Sequence, residues 1–78
     1  MAEAARRVSH PAQLGALLRE RRKTLGLTQV DAAALSNVSL RLLGELERGR
    51  TSVGLGLVLR VAATLGLDVS LAPREGGG

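Results

Sequence analysis

No cysteine stands anywhere in this chain, so no disulfide can staple the fold. With a single histidine, there is also no His/Cys cluster of the kind that holds a structural metal. Phe, Tyr and Trp are absent, so the core must be built from aliphatic side chains alone. The chain is also short: 78 residues make one domain, which buries only about 60–65% of the surface its unfolded form exposes. Such a core is expected to be helped by a partner chain. No apolar run approaches the roughly 18 residues of a membrane span. Met1 to Arg7 carry two arginines but lack the apolar stretch of a secretory signal. These absences point to an intracellular protein without membrane association.

What is present is 45% hydrophobic, chiefly Leu, Ala and Val, a mixture that favours closely packed helices. Eleven basic residues face seven acidic ones for a net charge of +4, and ten of the eleven are arginine. The rigid fork of an arginine suits phosphate better than a lysine point charge does. A charge of that size also serves simply to keep a small protein soluble, so by itself it does not single out nucleic acid. Catalysis has no footing. His10 is solitary, with no nucleophile or carboxylate cluster around it. Gly15, Gly54 and Gly56 precede no Lys-Ser or Lys-Thr pair and follow no strand, so they form no phosphate-cradling loop. No metal or cofactor is expected.

Four helices can be read along the chain. Ser9, His10 and Pro11 form the first punctuation, with a polar residue available as cap and Pro11 where a first-turn residue loses no hydrogen bond. Leu14, Leu17, Leu18 and Leu25 then share one helical face, while Arg19, Glu20 and Lys23 fall largely elsewhere, and Gly26 stops the helix. Thr28 to Asp31 has the form of a capping box that opens a second helix. Ala32, Ala33 and Ala34 have so little side chain that a neighbouring helix can cross closely. Asn37, a residue that enters the left-handed region at low cost, interrupts it. Ser39 caps a third helix that ends at Gly49, with Leu43 and Leu46 directed inward and Leu42 nearby. Leu55, Val58, Leu59, Ala62 and Leu65 recur at helical spacing in a fourth, closed by Gly66. Beyond it the period changes from 3.6 to 2. Leu67, Val69 and Leu71 alternate with Asp68, Ser70 and Ala72 until Pro73, a strand pattern that needs a partner for its backbone.

A short helix, a tight turn and a second short helix make the helix-turn-helix arrangement, in which the second helix presents its N-terminal half to the major groove. The residues sharpen this. Leu14 to Lys23, followed by Leu25-Gly26-Leu27-Thr28-Gln29, resembles the first helix of the phage-repressor-like helix-turn-helix family (the Xre or Cro type) and its Gly-Leu-Thr-Gln entry to the second. Glu47-Arg48-Gly49 is similar to its Glu-x-Gly signature, and Ala63-Thr64-Leu65-Gly66 to the end of its following helix. Within the family the chain resembles the HipB-like antitoxins and regulators, over roughly Leu14 to Leu71. The third helix departs from the Gln- and Ser-rich surface of the phage repressors.

The resemblance implies an all-α, four- to five-helix, lambda-repressor-like DNA-binding domain with a short C-terminal β-strand that pairs across a homodimer. Residues 1–10 would be a flexible N-terminal segment, 11–66 the helix-turn-helix domain, 67–73 the dimerisation strand with Leu67, Val69 and Leu71, and 74–78 a disordered tail. Gln29 is implied to contact phosphate or to orient recognition side chains, next to Thr28 and its exposed N–H neighbours. Leu40, Arg41, Gly44 and Glu45, following Ser39, occupy the positions that face DNA in the family. Arg41 can read guanine through its bidentate fork, hold phosphate or solvate the helix; Glu45 can accept from cytosine, repel phosphate or restrain Arg41. Leu40 can pack on a thymine methyl or fill a surface groove. Arg48 and Arg50, and also Arg19, look placed for phosphate, whereas Arg22 and Glu47 hold the positions of a structural ion pair. The function so implied is a dimeric repressor on a pseudo-palindromic operator in the bacterial cytoplasm, at the nucleoid, and the autoregulating antitoxin of a HipA-like kinase toxin. A freestanding regulator, or an interaction module without DNA binding, are the alternatives.

Overall fold

The structure, a computed structural model, describes residues 5–74. Four helices follow one another: α1 (Pro11–Thr24), α2 (Gln29–Ser36), α3 (Leu40–Glu47) and α4 (Leu55–Thr64). α3 packs on both α1 and α2, and α2 packs on α4. Their shared core is entirely aliphatic, built from Leu18, Ala32, Ala33, Leu43, Leu46, Val58, Val61, Ala62 and Leu65. Ala32 and Ala33 bring α2 close to its neighbours, as their small size predicts, while Ala34 faces solvent.

All four helices close in the same way. The N–H just after a left-handed turn residue returns to a carbonyl five residues back, and the turn residue's own N–H to one three back, as in a Schellman motif. The pairs are Leu27 to Arg22 and Gly26 to Lys23, Val38 to Ala33 and Asn37 to Ala34, Arg50 to Glu45 and Gly49 to Leu46, and Leu67 to Ala62 and Gly66 to Ala63, all at 2.9–3.2 Å. The turn residue of each is left-handed: Gly26, Asn37, Gly49 and Gly66 have φ between 55° and 80°. After three of the four turns the next residue, Leu27, Val38 or Leu67, packs back against the core. The hydrophobic contact that accompanies this motif therefore also fixes where each connection leaves its helix.

At the other ends, α2 and α3 are capped as their sequences predict. Thr28 Oγ1 accepts the Asp31 N–H at 3.0 Å while Asp31 Oδ2 accepts the Thr28 N–H at 3.1 Å, and Ser39 Oγ accepts the Leu42 N–H at 3.0 Å. At α1, His10 stands at the N-cap and makes no side-chain cap bond; the Ser9 N–H donates to Gln13 Oε1, and Pro11 occupies the first turn as expected.

Two apolar faces are narrower than the sequence pattern suggests. In α4 the buried stripe is Val58, Val61, Ala62 and Leu65, whereas Leu55 and Leu59 face outward. Leu25 is likewise exposed, because it forms the turn that ends α1 rather than a further turn of helix. No strand occurs among the described residues, and residues 67–74 carry no regular secondary structure in the single chain. Leu67 packs on the core, but Val69 and Leu71 are exposed. Of the segments expected to be flexible, residues 1–4 and 75–78 lie outside the described residues, and Arg6 rests 3.5 Å from Glu20 on the surface of α1.

Candidate nucleic-acid interface

α2 and α3 are separated by Asn37, Val38 and Ser39 alone. The left-handed Asn37, followed by the inward-packed Val38 and the capping Ser39, turns the chain sharply enough for α3 to cross α2. The turn is also held from behind, since Arg60 Nη1 on α4 donates to the Asn37 carbonyl at 3.2 Å. At the far end of α4, Arg21 Nε donates to the Leu65 carbonyl at 2.9 Å, tying α1 to the last turn of that helix. Neither contact follows from a sequence pattern, because the acceptor in each case is a backbone carbonyl that any residue would present.

The inner end of α3 is anchored by charge. Arg22 Nε donates to Glu47 Oε2 at 2.7 Å, Arg22 Nη2 to Glu47 Oε1 at 3.0 Å, and Arg22 Nη1 to the Leu27 carbonyl at 2.8 Å. Gln29 Nε2 adds a donor to Glu47 Oε1 at 3.0 Å. One carboxylate thus links the end of α1, the start of α2 and the end of α3. Desolvation pushes the Glu47 carboxyl upward, but hydrogen bonds from Arg22 and Gln29, with the charges of Arg22 and Arg19, outweigh it and leave the pKa below the usual carboxylate value. The hydrogen bond to Glu47 raises the Arg22 pKa in turn, against its own desolvation. The ion pair expected between these two residues is present, and Gln29, expected at the interface with DNA, has its side-chain amide turned to the carboxylate.

The opposite face of α3 looks outward. Arg41 leaves 86% of its side chain exposed, with Nε 3.6 Å from Glu45 Oε1 one turn along. Leu40 at the first helical position is half exposed, and Arg48 and Arg50 beyond the last turn are exposed, as is Arg19 on α1. Gly44 departs from the expected pattern of an open surface. It is buried, and the nearest side-chain atoms a Cβ built on it would meet are those of the Arg48 guanidinium. Thr28 and Ser39, both exposed, sit at the starts of α2 and α3, where the positive ends of the helices lie. Among the described residues no group of His, Cys, Asp or Glu could hold a metal, and no helix is long and apolar enough to cross a membrane.

Two short capped helices joined by a three-residue turn that is braced from behind, with exposed arginines on and just beyond the second, define a helix-turn-helix domain. Comparison with known proteins agrees: residues 13–74 match the model of a helix-turn-helix domain family, and the chain belongs to that family. It is 42% identical over 72 residues to an uncharacterised HTH-type transcriptional regulator of Sinorhizobium fredii, covering 91% of this chain and 95% of the relative. A second such regulator, from Methanothermobacter thermautotrophicus, is 46% identical over 52 residues, covering 67% of this chain and 75% of the relative. Among solved structures, the restriction-modification controller protein C.AhdI of Aeromonas hydrophila superposes with a TM-score of 0.67 at 35% identity, over 73% of this chain and 86% of that one. A HipB variant in complex with an O2 20mer superposes with a TM-score of 0.82 over 92% of this chain and 100% of its own, at 18% identity, a likeness of fold.

Proposed function

We propose that this chain is a sequence-specific DNA-binding transcriptional repressor that acts as a homodimer on a pseudo-palindromic operator in the bacterial cytoplasm. The observation that carries the reading is the division of α3 into two faces. Leu43, Leu46 and Glu47 lock it to the body of the domain, while Leu40 and Arg41 are left toward solvent in its N-terminal half, the half that enters a major groove in this class, with the partly exposed Glu45 one turn further on. Arg41 reads a base edge, with Glu45 limiting its swing; Arg48, Arg50 and the helix starts at Thr28, Gln29 and Ser39 hold phosphates. One such domain spans only a few base pairs, so specificity requires two copies of α3 about one helical turn of DNA apart. Leu67, Val69 and Leu71 supply the means, by pairing the segment 67–73 with its counterpart in a second copy. The exposure of Val69 and Leu71 supports this, since a lone strand leaves its backbone unpaired.

Footprinting of the purified chain on the DNA upstream of its own coding sequence tests the reading. Two protected half-sites about one helical turn apart are expected; no sequence preference at physiological salt would leave an interaction module instead. Light scattering on the chain cut after Gly66 should show a lost or weakened dimer.

Two roles fit within this function. An autoregulating antitoxin of a HipA-like kinase is supported by the likeness of fold to HipB, which also superposes from a HipA-HipB-O2-O3 complex with a TM-score of 0.82. A freestanding regulator is supported by the higher sequence identity to the controller protein C.AhdI. Failure of the chain to bind and neutralise a kinase encoded beside it would decide for the second.

A further inference from the structure

We propose that Gly44 is a positioning residue whose missing side chain seats the Arg48 guanidinium on the DNA-facing surface of α3. This rests on the reading of α3 as a recognition helix. A Cβ built on Gly44 would lie 3.2 Å from Arg48 Nη1 and 3.9 Å from both Cζ and Nη2, so the guanidinium lies across the glycine. Helical side chains lean toward the N-terminus, onto the turn four residues back. Arg48, at the C-cap, keeps a right-handed helical backbone (φ −85°, ψ 0°) and so follows that direction.

The consequence is a displacement of charge along the helix. Arg41 and Arg48 are seven residues apart, which places them within about 20° of one another around the axis but about 10 Å apart along it. Folding back over Gly44 carries the second guanidinium about 6 Å toward the N-terminal half. The second cation then stands next to the N-terminal half of α3 that enters the groove, where paired acceptors are the groups a guanidinium fork recognises, on a guanine edge or on a phosphate. At 3.2 Å a Cβ is tighter than an ordinary contact, so the Arg48 guanidinium must give by a few tenths of an ångström, and since the obstacle is the end of a flexible side chain, the arginine shifts and the helix does not.

The experiment compares wild type, Gly44→Ala, Arg48→Ala and the double variant on a duplex selected by the wild-type protein from a random library. Circular dichroism melts check that Gly44→Ala stays folded, as expected of the better helix former. Arg48→Ala should weaken binding about tenfold, Gly44→Ala should weaken it measurably but less, and Gly44→Ala should cause no further loss in the Arg48→Ala background. If the guanidinium holds phosphate, both variants lower affinity for all sequences and flatten the salt dependence by about one unit; if it reads guanine, both relax preference at the same base pair. Wild-type affinity in folded Gly44→Ala, or independent losses that add in the double variant, would overturn the inference. A wild-type chain that enriches no sequence would overturn the DNA-reading function itself.

Discussion

The Arg22 guanidinium grips both oxygens of the Glu47 carboxylate, at 2.7 and 3.0 Å, with 9% and 3% of the two side chains exposed. This pair is the joint between α1 and the end of α3. Removing both charges from water costs several kcal/mol per ion, so the pair adds little net stability over an apolar replacement of similar shape. Removing one member alone leaves the other buried and unpaired.

Arg22→Ala and Glu47→Ala are therefore each expected to lower the unfolding free energy by about 3–5 kcal/mol, a large part of the stability of a domain this size. Arg22→Met combined with Glu47→Met should recover much of that loss. Urea denaturation measures all three, and a single variant within about 1 kcal/mol of wild type would show that the bridge is not what joins α1 to α3.

The same carboxylate sets the response to acid. Glu47 ionises below its ordinary value of 4.5 in the folded state, as desolvation is outweighed by its hydrogen bonds, and Asp31 below its ordinary value of 3.8 through the bonds exchanged with Thr28. For a depressed carboxyl the stabilisation is complete above the unfolded-state value and is lost as pH falls through the lower folded-state value, because there the unfolded chain binds more protons. Denaturation midpoints should hold steady from pH 7 to about pH 5 and fall below pH 4.5, with Glu47→Gln flattening the fall. A midpoint that rises on acidification would contradict the sign.

Much of this fold is legible in the sequence, and the reason is local. Thr28 and Asp31 are three residues apart and satisfy each other; Gly26, Asn37, Gly49 and Gly66 mark turns whose geometry one residue decides. Leu55 and Leu59 show the limit: they continue the helical spacing of α4, yet which part of a stripe is covered depends on where α2 crosses, and that is not written in α4. In the interface the same division holds. The Arg22–Glu47 pair was legible through family resemblance, but the fold-back of Arg48 on Gly44 and the anchoring of Asn37 by Arg60 depend on where side chains of no fixed pattern come to rest.

Ser36, the last residue of α2, is only 1% exposed, and its hydroxyl oxygen finds no hydrogen-bond partner. A buried, unsatisfied hydroxyl costs about 1–3 kcal/mol of desolvation, while alanine at the same place keeps the Cβ packing and favours the helix. Ser36→Ala should raise the unfolding free energy by about 1 kcal/mol. A loss of stability in the same denaturation experiment would mean that the hydroxyl is hydrogen-bonded in solution.

Gly15 and Gly56 both lie within helices, where replacing glycine by alanine ordinarily stabilises by about 0.5–1 kcal/mol, and the surroundings predict opposite signs. At Gly56 a Cβ meets nothing within 4 Å, so Gly56→Ala should gain that amount. At Gly15 a Cβ would stand 2.6 Å from the Glu47 carbonyl oxygen and 2.8 Å from its carbon, with the Leu46 carbonyl nearer still. These are backbone atoms and cannot rotate away. Gly15→Ala must push α1 from the end of α3, at about 1–3 kcal/mol for overpacking, which exceeds the gain in helix preference. Because α3 moves with that contact, DNA affinity should fall in Gly15→Ala although Gly15 is covered by α3 and touches no duplex. Thermal melts of the two variants side by side are the measurement; shifts of the same sign would show that helix preference, and not the close crossing of α1 and α3, governs both positions.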